Sequence, residues 1–149
     1  MPVAHRLVVF NALITRALLV NDEEIFRDEL AAFRVAFRAR RFKILVTEGI
    51  ISEYQADAGA LFAIQLQPTL NNHLRRGRAI YTDETMLPRL PVSLAGLPRE
   101  HRVFVLDAIA GDAEYLVTDR RRWLNLSAQT EPTYGLKIVT PARFVELEG

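Results

Sequence analysis

Glu114-Tyr115-Leu116-Val117-Thr118-Asp119 is the stretch whose reading decides the fold. Leu116 and Val117 are apolar, and Tyr115 and Thr118 favour a pleated backbone. The run therefore reads as a short buried strand that leads straight into a carboxylate. Arg120-Arg121-Arg122 follows at once. In an open α/β sheet, ligands bind just beyond the carboxyl ends of parallel strands. An acid at that place, with arginines beside it, suggests a site for a metal ion and a phosphate. The rest of the chain is then read for other acids delivered to the same edge.

Working outward, Leu7-Val8-Val9-Phe10 is a continuous apolar run that ends at Asn11. It suits a strand buried on both faces of a parallel sheet. Ala12 to Val20 reads as a loop or the start of a helix. Asn21-Asp22-Glu23-Glu24 reads as a helix start, followed by Ile25, Phe26, Leu30, Phe33 and Phe37 at helical spacing. That stripe suits a core or a dimer face better than a base-stacking platform. Phe42-Lys43-Ile44-Leu45-Val46 is a second strand, and Thr47 can cap the helix after it. Helical pattern then runs to about Arg76, with a break expected near Pro68. Ala79-Ile80-Tyr81-Thr82 reads as a short strand or extended link, and 86–98 as a loop. Arg99 to Gly111 is helical, with Gly111 as terminator and Val103, Phe104, Leu106, Ala108 and Ile109 inward. Arg120 to Gly135 reads as loop or a short helix. Leu136 to Val139 is the last strand. Thr140-Pro141 then places a capping hydroxyl before a proline at the first helical position, and Phe144, Val145 and Leu147 finish the chain. Strands alternating with helices predict an α/β three-layer sandwich: a mostly parallel sheet with helices on both faces.

A chain of 149 residues, half of them hydrophobic and a quarter charged, fits one soluble domain over 1–149. The net charge of +1 does not mark a nucleic-acid binder, so the placement of the basic clusters matters more. Those clusters are Arg38 to Lys43, Arg75 to Arg78 and Arg120 to Arg122; solvated helix ends are their plainest use. Cysteine is absent, which excludes disulfides, thiolate metal sites and cysteine nucleophiles. No segment approaches the roughly 18 apolar residues of a membrane span. A cytoplasmic protein without a leader peptide is the expectation.

Four segments in order carry a resemblance. They are Leu7 to Phe10, Val46-Thr47-Glu48-Gly49-Ile50-Ile51-Ser52-Glu53, Ala113 to Asp119, and Ile138-Val139-Thr140-Pro141-Ala142-Arg143-Phe144. Together they resemble the PIN domain, a small α/β fold found in metal-dependent ribonucleases and in the toxins of many bacterial toxin–antitoxin pairs. The resemblance implies a cluster of about four acids that holds Mg²⁺ or Mn²⁺, hard cations that take oxygen ligands. Carried over residue by residue, Glu53 takes the second position and Asp119 the fourth. Asn11, a neutral amide, stands at the first. The third falls near His101 and Arg102, with Glu100 adjacent.

Each candidate has a plainer use. Asn11 can simply close a strand. Glu53 can be a solvated helix acid, and Glu100 a first-turn acid placed for the helix dipole. Asp119 can cap the helix after it. Asp107, if inward, needs a partner, with a salt bridge the expected one. Two functions follow from the resemblance. The first is a metal-dependent ribonuclease of the kind found as the toxin of a toxin–antitoxin pair, with Glu53, Asp119 and Asn11 as ligands and Glu100 completing the shell. RNA would be its substrate, an antitoxin protein its partner, and the homodimer its state. The second is a degenerate PIN domain that binds RNA or a protein without cutting; Asn11 and the missing third acid motivate it.

Overall fold

The computed structural model describes residues 6–12, 14–16, 31–32, 35, 42–82, 99–111 and 113–148. Strands β1 (Arg6–Phe10), β2 (Phe42–Val46), β3 (Ala79–Tyr81), β4 (Tyr115–Val117) and β5 (Lys137–Val139) form a single sheet. Its order is β3-β2-β1-β4-β5, and every neighbouring pair is parallel. The described residues include helices α1 (Glu48–Ala58), α2 (Gln67–Arg75), α3 (Arg99–Ala110), α4 (Arg121–Leu124), α5 (Ser127–Tyr134) and α6 (Pro141–Glu148). The expected α/β architecture is the observed one. The helical stripe from Ile25 to Phe37, the basic run 38–41 and the loop 86–98 lie outside the described residues.

Register explains why the strand sequences are so uniformly apolar. Val8 pairs with Ile44 and with Tyr115, so Val8, Phe10, Phe42, Ile44, Tyr115 and Val117 share one face. Val9, Leu45 and Leu116 share the other. Residues of both sets are fully buried, as both faces of a parallel sheet require. On the first face Phe144 of α6 packs edge-on against Phe42 and Tyr115, with centroids at 5.4 and 5.2 Å. On the second, the end of α3 lies on Leu45. A Cβ at Gly111 would come within 2.4 Å of the Leu45 side chain. Gly111 is thus required by close packing, and its role as helix terminator is secondary. Helix α1 lies beside α3: the Tyr54 and Phe104 rings are 6.0 Å apart, and Phe104 is 5.3 Å from Trp123 of α4.

Local features refine the reading of the helices. The helical run after Thr47 breaks at Gly59, which has a φ of 57° that only glycine adopts freely. Pro68 sits in the first turn of α2, where its missing N–H costs little. The distortion it causes is a widened turn over Phe62–Leu66, just ahead of it, in which the Gln67 N–H reaches back to the Phe62 carbonyl. Of the two readings of 120–135, the short helix is the observed one, as α4 and α5. Leu147 is 39% exposed.

The β5 edge explains why α5 exists. The Ile138 N–H and the Leu136 carbonyl point away from β4. Ser127 accepts the first at 3.0 Å, and the Thr130 hydroxyl donates to the second at 2.9 Å. Ser127 and Thr130 are three residues apart on one helix face, so α5 consumes hydrogen-bonding groups that an open edge would offer to another chain. Its anchors, Trp123, Leu126 and Thr130, are buried.

Candidate functional site

Each strand of the sheet is followed by a small polar residue: Thr82, Thr47, Asn11, Thr118 and Thr140. Continuing the pairing by one step puts these residues level with one another along the carboxyl edge. Thr47, Asn11 and Thr118 are buried there. Most of them start the next element. Thr47 accepts the Ile50 N–H at 3.1 Å, Asn11 accepts the Ile14 N–H at 3.0 Å, and Thr140 accepts the Arg143 N–H at 3.1 Å. Each is an N-cap three residues before its donor. Thr118 accepts the N–H of Arg120 at 3.0 Å.

Strand order reverses at β1: the chain builds outward to β2 and β3, then returns to place β4 on the far side. The carboxyl ends of β1 and β4 therefore flank the crevice where open α/β sheets take their ligands. Asn11 and Asp119 meet at that point. The Asn11 amide nitrogen donates to the Thr118 hydroxyl oxygen at 3.0 Å and to Asp119 Oδ1 at 2.7 Å. The Ile14 N–H fixes which end of the amide is oxygen, because a flipped group would set donor against donor. Asp119 is exposed, as are Arg120 and Arg121 next to it. Helix α4 has no side-chain cap, so capping is not what Asp119 does.

Glu53 is half-buried on α1 and has no hydrogen-bond or ion-pair partner among the described residues. Its neighbour Tyr54 ties α1 to this edge by donating to the Phe10 carbonyl at 2.9 Å, an oxygen that also accepts from Thr15 at 3.2 Å. Nearby, Arg16 and Asp57 approach to 3.7 Å. Glu53 makes no hydrogen bond with Asn11 or Asp119. The backbone of Glu100 is in the first turn of α3; its side chain lies outside the described residues. Asp107, farther along α3, accepts from the Thr47 hydroxyl at 2.5 Å and so joins α3 to the end of β2.

Burial holds the Tyr54 phenol well above its ordinary pKa of 10.0, against a smaller opposing effect of Thr15. The unfolded chain thus loses this proton first. Stability tied to Tyr54 is complete below pH 10 and is lost as pH rises beyond it. Tyr54→Phe is expected to cost about 1 kcal/mol at neutral pH through the lost hydrogen bond. It is also expected to flatten the alkaline decline, as followed by urea unfolding across pH.

A resident Mg²⁺ or Mn²⁺ needs several hard oxygens aimed at one point. Asn11 aims nitrogen at Asp119, and its oxygen is engaged by Ile14. Among the described residues, no group of three or more His, Asp or Glu side chains is placed to hold a metal ion. The described side chains therefore do not fit a preformed cation site.

No protein-family model matches the chain, and no curated protein matches it. Among solved structures, the chain is similar to the crystal structure of VapBC2 from Rickettsia felis bound to a DNA fragment from their promoter. The match has a TM-score of 0.48 and 12% identity, and covers 90% of this chain and 98% of that one. Among the described residues, no helix is long and apolar enough to cross a membrane.

Proposed function

We propose that this chain is an RNA-directed domain of the PIN type that binds its ligand at the β1–β4 crevice without cutting it. The observation that carries this reading is the Asn11–Asp119 hydrogen bond at the switch point of the sheet. It leaves one free carboxylate oxygen on Asp119, where phosphodiester hydrolysis by a hard cation calls for a converging set. The exposed Arg120 and Arg121 beside Asp119 supply positive charge for backbone phosphates. Single-stranded RNA is the expected ligand, because its unstacked form can enter a crevice.

The test is fluorescence anisotropy with a labelled single-stranded RNA, run with Mn²⁺ present and then with EDTA. Binding is expected in both, with the RNA intact. Arg120→Ala and Arg121→Ala are each expected to weaken binding and to lower the salt slope by about 1. Absence of binding would sink the proposal.

A second reading is favoured by the exposure of Asp119 and by Tyr54 tying α1, which bears Glu53, to the same edge. It is a Mg²⁺- or Mn²⁺-dependent ribonuclease, the toxin of a toxin–antitoxin pair. Glu53 and Asp119, with Asn11 and Glu100, would hold the metal, and an antitoxin protein would be the partner of a homodimer. Mn²⁺-dependent cleavage that Asp119→Asn abolishes would establish it in place of the binding reading.

A further inference from the structure

We propose that the Asn11 amide takes the place of a cation in this crevice, so that the Asp119 carboxylate is held by a neutral donor without any metal. The proposal shares the crevice with the RNA reading but rests on folding alone, so either can fail without the other. Asn and Asp are about equally good N-caps. Capping of Ile14 therefore gives no reason to prefer the amide at position 11. Threonine, used at the other four strand ends, caps as well. What only asparagine adds is a pair of N–H donors behind its capping oxygen, and these go to Thr118 and Asp119 at 3.0 and 2.7 Å. A carboxylate in its place would set oxygen against oxygen at the same separation. Two such groups cannot both stay ionised unless a cation or a shared proton lies between them. The amide removes that requirement: it donates to both acceptors and carries no charge of its own.

Thermal melting of the full chain, wild type and variants, tests this. Wild type is expected to melt at one temperature in EDTA and in millimolar Mn²⁺ or Mg²⁺. N11D is expected to melt several degrees lower in EDTA and to recover when Mn²⁺ is added. The swapped pair N11D/D119N restores one amide and one carboxylate. It is expected to melt near wild type and to ignore Mn²⁺, which keeps the proposal testable even if N11D alone does not fold. Two results would overturn it. One is a saturable Mn²⁺ shift in wild type that D119N removes. The other is a swapped variant no more stable than N11D.

Discussion

Truncating Phe144 to alanine is expected to lower the unfolding free energy by about 3–5 kcal/mol. The ring is 1% exposed and sits where three strands meet. Its centroid is 6.2 Å from that of Phe10 on β1, 5.4 Å from Phe42 on β2 and 5.2 Å from Tyr115 on β4, all nearly perpendicular. Edge-to-face pairs of this kind add about 0.5–1.5 kcal/mol beyond the area they bury. Helix α6 is eight residues long, so it cannot hold itself together in water. Apart from Pro141 at its start, Phe144 is the buried anchor among its described side chains. Losing the ring therefore opens a cavity and frees the helix together. Urea unfolding measures the cost, and a reduced m-value would report the freed helix. Leu147→Ala, on the exposed side of the same helix, is the control, with an effect expected within about 0.5 kcal/mol.

The sheet was legible because parallel strands are buried on both faces. Leu7 to Phe10, Ile44 to Val46 and Leu116-Val117 leave no polar side to hide, and each lies within a residue or two of where it was expected. The order of the strands was not legible, since nothing local in β4 says that it pairs with β1. The helices after Asp119 were legible only as one of two alternatives, a loop or a short helix, for a physical reason. Ser127 to Tyr134 carries Ser, Gln, two Thr and Pro132, a composition with little intrinsic helicity. That segment is helical because Ser127 and Thr130 bind the β5 edge. Pro132 is exposed there, as is Ala128, so water can serve the carbonyl that the proline leaves without a donor.

The site was legible in position and opaque in chemistry. A strand that ends in Asn11 and another that ends in Thr118-Asp119 are visible in the residues, and the structure brings them within hydrogen-bond reach. The direction of the Asn11 amide is set by the Ile14 N–H and by a hydroxyl 107 positions away, which no spacing rule contains. Thr47 was legible as a cap, yet its second bond, to Asp107, spans 60 positions. The recurrence of a threonine or asparagine after every strand was available in the sequence. It becomes a signal only once the register shows that the five residues form a single row.

Replacing Asn11 with leucine is expected to cost about 2–4 kcal/mol, the sum of a lost cap and of polar groups left without their partner. The side chain is 3% exposed, so water cannot take over its bonds. The Ile14 N–H loses its acceptor, and Thr118 Oγ1 and Asp119 Oδ1 lose a donor. Asn11→Thr divides this cost. Threonine keeps the cap, as Thr47 and Thr140 do at their own strand ends, and gives up the donors to Thr118 and Asp119. Its expected cost is about 1–2 kcal/mol. Urea unfolding gives both values, and hydrogen exchange at Ile14 separates them. That amide should exchange faster in the leucine variant and stay protected in the threonine one. A threonine variant as stable as wild type would mean that Asn11 serves this fold as a cap alone. The gap between leucine and threonine measures the cap, and the threonine variant's own cost against wild type measures what the amide nitrogen does for Thr118 and Asp119.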